Sequence, residues 1–296
     1  MKHKTCIVTG ASAGIGLETA ARLGALGARL LLVGRSREKG EAALARLRTK
    51  VPGVAVEMYY ADLSRVDEIL RLAAALLNEV ERIDVLLNNA GAIFAQREAT
   101  PDGLECTFAL NHMGYFRLTT LLLPRLIASA PARIVSVASE AHRGTHLDFN
   151  DLQLSERYSG WTAYKRSKLA NILFTRELAR QLRSTAVTVN CLHPGFVASD
   201  FGNNNHGLWR LGIRIAKRLS AISVERGAET PVYLSSSSSV DGTSGKYFAN
   251  CHERTPDEAA QDDNVAARLW QESEKLAGFQ MPWKSSWDTP GVISCR

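Results

Sequence analysis

Thr9-Gly10-Ala11-Ser12-Ala13-Gly14-Ile15-Gly16 is the stretch that decides the fold, because it joins a predicted strand, Thr5–Thr9, to a predicted helix, Gly16–Leu26. The first glycine allows a tight turn, the second lets the backbone approach a ligand, and the third lets the helix pack closely on the sheet. The start of the helix presents free N–H groups and a positive dipole end. In this position the turn predicts a dinucleotide-binding site. The expected contacts are Gly10, Ser12, Gly14, Ile15 and Gly16.

Outwards from this turn, short runs rich in Val, Ile and Leu alternate with longer amphipathic stretches, which is typical of a parallel sheet covered by helices. The predicted strands are Thr5–Thr9, Arg29–Val33, Val54–Tyr60, Ile83–Asn88, Arg133–Ala138, Val187–His193 and Gly245–Phe248. The predicted helices include Gly16–Leu26, Arg37–Lys50, Arg65–Val80, Leu169–Arg183 and one beginning near Pro256. The fold class is therefore α/β: a single-domain Rossmann fold, with a doubly wound parallel sheet of about seven strands and helices on both faces.

Composition narrows the class of protein further. No Pro/Gly-rich linker divides the 296 residues, so we expect one domain over 1–280 and an irregular tail over 281–296. The net charge of +6 comes from scattered Lys and Arg, so we expect no nucleic-acid partner. The five cysteines form no CxxC pair or cluster with histidine, which predicts free thiols, no metal site and a reducing, cytoplasmic location. No apolar stretch reaches membrane-spanning length.

The end of the second predicted strand bears on the choice of cofactor. Gly34 and Arg35 stand where a fold that prefers NAD normally carries Asp or Glu for the ribose 2′-OH. An arginine suits the 2′-phosphate of NADP(H) instead, and Arg37 is a second candidate contact. The alternative is that Arg35 is only the exposed start of a helix. The charge argument favours NADP (NADPH) over NAD.

Tyr164 and Lys168 lie four residues apart in a helical stretch, so they share one helix face. A phenol is a poor base because its pKa is about 10, and a fixed ammonium nearby favours the phenolate. The pair suits proton transfer, although the same spacing also arises by chance on surface helices. Further polar and turn residues follow the ends of predicted strands, where open parallel sheets bind ligands. They are Asn88-Asn89-Ala90-Gly91, Ser139 and Pro194-Gly195, with Asn111 in a helical stretch between them.

As a set, these motifs resemble the short-chain dehydrogenase/reductase (SDR) family, classical type, over roughly residues 4 to 250. The resemblance is carried by Thr9–Gly16, Asp62-Leu63, Asn88–Gly91, Asn111, Ser139, Tyr164 with Lys168, and Pro194-Gly195. Four segments resemble the retinol-dehydrogenase-like branch of that family in particular. They are Arg133–His142, Ala163–Leu169, Cys191–Val197 and Ser244–Phe248.

The resemblance implies a catalytic set with separate roles. Tyr164 would be the general acid in reduction and the base in oxidation. Lys168 would bind the nicotinamide ribose and lower the tyrosine pKa. Ser139 would hydrogen-bond the substrate oxygen, and Asn111 would hold a water that passes protons on.

The resemblance also implies contacts with the cofactor. Asp62 would contact the adenine ring, Asn88 and Gly91 would line the adenosine side, and the backbone of Pro194–Val197 would contact the nicotinamide carboxamide. Ser199 stands where the retinol-dehydrogenase-like branch often has Thr as a cofactor contact. The expected contacts beyond the glycine turn are Arg35, Asp62, Leu63, Asn88, Ala90, Gly91, Tyr164, Lys168, Pro194, Gly195, Val197 and Ser199.

Two histidines and the segment 196–223 also lie near the predicted site. His142 and His193 are expected to be local hydrogen-bonding residues, because tyrosine and lysine already supply the proton chemistry. Residues 196–223 fall where the family varies its substrate lid. This segment is a hydrophobic lid, a helix packed on its own core, or a basic helix resting on a membrane surface.

These patterns predict an enzyme: an NADP-dependent SDR acting on CH–OH donors. It would transfer a hydride between NADP(H) and the alcohol or carbonyl group of a lipophilic small molecule of retinoid, steroid or terpenoid type. The alternative is an NADPH-binding regulator or redox sensor, which would be expected to lose part of the Tyr/Lys/Ser set. We expect no integral membrane span, and peripheral membrane contact stays open. Because the family often pairs protomers through the helices carrying Asn111 and Tyr164, a homodimer or homotetramer is compatible with the sequence, as is a monomer.

Overall fold

The sheet decides where the site lies. The computed structural model describes residues 1–196 and 222–280. The strands are β1 (Thr5–Thr9), β2 (Arg29–Gly34), β3 (Val56–Tyr60), β4 (Val85–Asn88), β5 (Ala132–Val137), β6 (Val187–His193), β7 (Tyr247–Ala249) and β8 (His252–Arg254). They form one sheet in the order β3-β2-β1-β4-β5-β6-β7-β8, parallel except for the last pair. The α/β doubly wound fold predicted from the sequence is confirmed.

Helices cover this sheet because its central strands are buried on both faces and need apolar partners. They are α1 (Gly14–Ala25), α2 (Arg37–Lys50), α3 (Val66–Glu79), α4 (Cys106–Phe108), α5 (Gly114–Ala128), α6 (Gly160–Gln181), α7 (Val224–Gly227), α8 (Glu229–Ser236) and α9 (Asp263–Lys275). A π-helical turn, Ala109–Met113, separates α4 from α5. Among the described residues, no helix is both long and apolar enough to cross a membrane.

Two elements near the C-terminus differ from the sequence prediction. The sheet has an eighth strand, β8, because the three exposed polar residues His252–Arg254 return antiparallel along β7 without any hydrophobic pattern. The last helix begins at Asp263 rather than near Pro256, because a 3-10 turn intervenes and Asp262 then caps the helix. Residues 197–221 and 281–296 lie outside the described residues, and with them the core of the expected lid and the expected tail.

The order of the strands creates a crevice at the carboxyl edge of the sheet. β1 pairs with β2 on one side and with β4 on the other. The chain therefore continues from β1 to β2 on one side of the sheet, and from β4 to β5 on the other. Ligands of open α/β sheets bind at such a reversal, outside the carboxyl ends of the strands. The glycine turn after β1 and the Asn88–Gly91 segment at the end of β4 meet at this point.

Helix α9 packs on the helices that support the site. The Trp270 ring lies 4.9 Å from that of Phe116 on α5, and it stacks on Phe174 of α6 at 5.9 Å. Arg117, fully buried, donates to the carbonyls of Leu276 and Ala277 at the end of α9. Any association through α5 and α6 therefore has to use the parts of those helices that α9 leaves open.

We expect Trp270→Ala to lower the free energy of unfolding by about 3–5 kcal/mol, because it leaves a cavity between two aromatic rings. Urea or guanidinium denaturation followed by circular dichroism measures the change. Leu70→Ala on the exposed face of α3 is the control and should cost less than about 1 kcal/mol. Equal losses in the two variants would mean that α9 contributes little to the core.

Candidate active site

The glycine turn adopts a backbone that only glycine accepts readily. Gly10 and Gly14 have φ of +65° and +56°, in the left-handed region. A Cβ on Gly10 would lie 2.8 Å from the Cα of Ala90, so the turn presses directly on the segment after β4. Helix α1 begins at Gly14, and in the described part of the chain no side chain caps its first N–H groups. These groups are available to an anionic ligand.

Hydrogen bonds lock the turns after β1 and β4 together. The Thr9 hydroxyl accepts from the backbone N–H of Asn89 at 2.8 Å and of Ala90 at 3.1 Å. The Asn89 amide donates back to the carbonyl of Thr9 at 2.8 Å. Asn89 belongs to the predicted Asn88–Gly91 motif but was not among the expected cofactor contacts; its signal is a second amide directly after Asn88. Asn88 donates to Thr119, while its buried Oδ1 has no partner among the described residues.

Arg35 and Asp62, two expected cofactor contacts, lie side by side after β2 and β3. The Arg35 Nη1 and Asp62 Oδ2 atoms are 3.6 Å apart, and 68% of the Arg35 side chain is exposed. Ser12 lies against Gly34, where a Cβ would be 3.5 Å from that of the serine. The Ser36 hydroxyl, which the sequence did not single out, caps α2 by accepting from the backbone N–H of Lys39. A cation and a helix start thus border this end of the crevice.

Leu63 and Asn111 connect the crevice to the helices beside it. Leu63 is buried, and its carbonyl lies against Gly114 at the start of α5, where a Cβ would be 2.7 Å from the oxygen. Asn111 lies in the π-helical turn, a local geometry frequent at functional sites. Its Oδ1 accepts from the N–H of Ala92, and its Nδ2 donates to the Ala92 carbonyl and to the Ser167 hydroxyl, all at 2.9 Å.

Tyr164 and Ser139, expected to act together, are hydrogen-bonded through their side chains. Tyr164 lies one turn into α6, and Ser139 stands two residues beyond β5, at the start of a 3-10 turn. Burial raises the pKa of Tyr164 to about 12, and the Ser139 hydrogen bond acts in the opposite direction. The phenol is therefore protonated near neutral pH.

Lys168 is buried one turn further along α6. Its Nζ donates to the carbonyl of Val137 at 2.9 Å and lies 5.7 Å from the centroid of the Tyr164 ring. Burial lowers the pKa of Lys168 to about 7. Burial is thus the largest cause of both pKa shifts: it raises that of Tyr164 and lowers that of Lys168, because both groups lose water in the same pocket. Gly91 borders this pocket, and a Cβ there would be 3.5 Å from the Nζ atom.

The two histidines near the site hold its backbone, as expected. The N–H of Asp257 donates to His142 Nε2 at 3.0 Å, so Nδ1 carries the proton and donates to the carbonyl of Ser139 at 2.6 Å. His193 Nδ1 accepts from the N–H of Glu140 at 3.1 Å. Both rings thereby fix the turn that presents the Ser139 hydroxyl.

The end of β6 completes the carboxyl edge. Pro194 and Gly195 follow His193, and Gly195 has φ of +90° with Ile222 packed against it. Phe196, 48% exposed, comes next. The expected contacts Val197 and Ser199 lie outside the described residues. The structure thus brings the remaining predicted site residues to one edge of the sheet.

A cavity of about 860 Å³ lies elsewhere, at the amino ends of β1, β4, β5 and β6. Ion pairs such as Lys4–Asp84 and Arg133–Asp241 already use charged groups in its lining. It contains none of the predicted site residues. We place the chemistry at the carboxyl edge, where the titratable pair and the open helix start meet.

The comparisons with known proteins agree with this geometry. The family model described as short chain dehydrogenase matches residues 4–207. The chain therefore belongs to the short-chain dehydrogenase/reductase family and is an oxidoreductase of that family.

Particular relatives place the chain near the retinol dehydrogenases. Human retinol dehydrogenase 13 is 41% identical, with 94% of this chain and 86% of that protein covered. A crystal structure of a protein from Mycobacterium paratuberculosis is 32% identical, with a TM-score of 0.76 and 95% and 96% of the two chains covered. An actinorhodin polyketide ketoreductase variant, crystallised with NADPH, is 25% identical, with a TM-score of 0.66 and 89% and 100% covered. The resemblance to the retinol-dehydrogenase-like branch is confirmed.

Gly10→Ala should lower the free energy of unfolding by more than Gly53→Ala, which serves as the matched control. Both glycines have positive φ, but a Cβ on Gly53 would meet nothing within 4 Å, whereas one on Gly10 would meet the Ala90 backbone. The strain at Gly53 costs about 1 kcal/mol, and the collision at Gly10 adds to it. Thermal unfolding of both variants measures the difference. Equal destabilisation would contradict the close approach of the two turns.

Proposed function

We propose that this protein transfers a hydride between NADP(H) and the alcohol or carbonyl group of a lipophilic small molecule, with Tyr164 as general acid and base. One observation carries the proposal. The Tyr164 hydroxyl is hydrogen-bonded to Ser139, with the Lys168 ammonium 5.7 Å from its ring, in the crevice that also holds the glycine turn. A phenol, a hydroxyl and an amine so placed can hold and move one proton at one substrate oxygen.

The crevice fits a dinucleotide. The uncapped start of α1 and the backbone of Gly10 and Gly14 would hold the pyrophosphate. Asn88 Oδ1 is a buried acceptor without a partner in residues 1–196 and 222–280, on the adenosine side that the family resemblance implies. Lys168 would hold the nicotinamide ribose. When bound, the nicotinamide supplies or receives the hydride.

The proton chemistry favours carbonyl reduction. Tyr164 is protonated near neutral pH, so its hydroxyl donates to the substrate oxygen as the carbonyl carbon becomes an alcohol carbon. Ser139 donates to the same oxygen and orients it. The reverse reaction needs the phenolate, which Lys168 and Ser139 stabilise. Asn111, whose side chain is engaged by Ala92 and Ser167, would hold the proton-passing water through its remaining acceptors.

The surroundings of Arg35 support NADP(H) over NAD(H). Its side chain is largely exposed, Ser12 lies against the preceding residue Gly34, and α2 begins two residues further on, so a phosphate bound here would meet a cation close to hydroxyl and N–H donors. Within the described ranges its only ion-pairing partner is Asp62, at 3.6 Å, which is long for a bidentate pair. A 2′-phosphate would compete for this arginine.

Apolar rings beside the catalytic tyrosine support a lipophilic substrate. The Trp161 ring stacks on that of Tyr164, 5.8 Å between centroids, and half of the tryptophan is exposed. Phe196, also half exposed, follows the end of β6. Large exposed aromatics next to a site are typical of apolar ligand surfaces. Relatives named retinol dehydrogenases fit this class of substrate.

The free thiols support a reducing compartment such as the cytoplasm. They are Cys6, Cys106, Cys191 and Cys251.

The experiment is to follow NADPH absorbance with a panel of aldehydes and ketones, from short polar to long isoprenoid, steroid and terpenoid compounds, with NADH in parallel. We expect turnover of bulky apolar members with NADPH. Turnover of only short polar members would reject the lipophilic class. NADPH binding without turnover of any carbonyl or matching alcohol would favour a regulator on this scaffold.

Tyr164→Phe should leave NADPH binding nearly intact and lower kcat by at least about 10²-fold, because it removes only the transferable proton. Kinetics on the best panel substrate and NADPH fluorescence titration measure the two effects. Tyr158→Phe, outside the catalytic set, is the control and should keep kcat within a few-fold. Wild-type turnover in Tyr164→Phe would remove this residue from the mechanism.

Arg35→Asp should shift the ratio of kcat/KM for NADPH over NADH by at least about tenfold towards NADH, because it replaces a phosphate-binding cation with a carboxylate. The matched control is Arg48→Asp, which changes the net charge equally at the far end of α2. The control should leave the ratio unchanged. An unchanged ratio in Arg35→Asp would mean that the 2′-phosphate is bound elsewhere.

A further inference from the structure

Tyr115 is a buried phenol beside the catalytic pair that the proposed proton transfer does not use. It lies on α5, four residues after Asn111, and its side chain is fully buried. Within residues 1–196 and 222–280 its hydroxyl has no hydrogen-bond partner. The Lys168 Nζ lies over its ring, 5.8 Å from the centroid. Ring and ammonium are therefore within cation–π distance.

We propose that Tyr115 is a positioning residue of the active site, whose ring holds Lys168 as an ammonium ion. The proposal deepens the proposed function, on which its catalytic consequence rests. Its physical basis is the attraction between a cation and the negative face of an aromatic ring, which is strongest where water is excluded.

Neutral groups surround the lysine on every element packed against it. On its own helix these are Tyr164 and Asn171, the latter sharing the Val137 carbonyl with the Nζ atom. The π-helical turn and α5 contribute Asn111 and Tyr115, and the segment after β4 contributes Gly91. In the described part of the chain, no carboxylate forms an ion pair with Lys168. The ammonium therefore depends on one carbonyl and two rings.

Tyr115 cannot act as a counter-ion near neutral pH, so it can stabilise the ammonium only through its ring. Burial raises the pKa of Tyr115 well above its usual value, and the nearby Tyr164 raises it further. The phenol is therefore neutral near neutral pH. Burial lowers the pKa of Lys168 to about 7, so even a modest attraction changes the charged fraction near neutral pH. Tyr164 moves the proton, while Tyr115 favours the charged state of the lysine.

The test compares rings of equal shape and different charge distribution at position 115. Tyr115→Phe keeps the ring face and removes only the unpartnered hydroxyl. Replacing the same residue by phenylalanines with increasing numbers of ring fluorines keeps the shape and removes the negative face stepwise. The titration of Lys168 is followed by NMR in protein labelled with carbon-13 lysine, and its signal is assigned with Lys168→Arg.

We expect Tyr115→Phe to leave the Lys168 midpoint unchanged and full fluorination to lower it by about 0.5–1 pH unit, a roughly three- to tenfold change in the equilibrium constant. The direction follows because the ring stabilises the charged form; without it the proton leaves at lower pH. The alkaline limb of carbonyl reduction should move down by the same amount.

The matched control is the same fluorinated series at Phe116, the next residue, whose ring packs on Trp270 instead. There the Lys168 midpoint should not move. A midpoint independent of fluorination at position 115, or equally sensitive at position 116, would overturn the proposal. Because the NMR readout needs no substrate, a shift without any turnover would count against the proposed function and leave this inference standing.

Discussion

The backbone of Gly10 runs so close to that of Ala90 that a single added Cβ would lie 2.8 Å from the neighbouring Cα. This approach occurs where the strand order reverses between β1 and β4. Thr9 and Asn89 lock it with reciprocal hydrogen bonds. Because the two turns meet here, the open start of α1 and the loop carrying Gly91 face one crevice. Gly91 in turn borders both Asn111 and Lys168.

Exclusion of water from the same crevice has two opposing electrostatic effects. In the proposed reaction, excluding water would strengthen every interaction of the substrate oxygen, but it also disfavours both the phenolate of Tyr164 and the ammonium of Lys168. Neutral groups contact both side chains. The Ser139 hydroxyl is hydrogen-bonded to the Tyr164 phenol, and the Val137 carbonyl and two tyrosine rings contact Lys168. In this crevice the Tyr164 phenol is protonated near neutral pH, and the pKa of Lys168 lies at about 7.

Supporting contacts outside the crevice keep these groups in place. The Asn111 amide joins the loop after β4 to α6 through Ser167. The next residue, His112, donates to the buried Ser273 hydroxyl of α9, which itself donates to the carbonyl of Leu269. On the other side, His142 fixes the carbonyl of Ser139. His112 thus connects the turn that carries Asn111 to α9, and His142 holds the turn that carries Ser139.

The sequence alone determined the alternation of strands and helices, because a sheet buried on both faces requires continuous apolar runs. β1, β6 and α2 have the predicted bounds. It also indicated Tyr164, Lys168, Ser139 and the glycine turn, since helical spacing and strand ends are local properties. β8 escaped prediction because a short exposed strand needs no hydrophobic pattern, and Asn89 because its role depends on a neighbouring strand. Only the tertiary structure decided that burial raises the pKa of Tyr164 and that the Tyr115 ring faces Lys168, because desolvation and ring contacts arise from residues far apart in the chain.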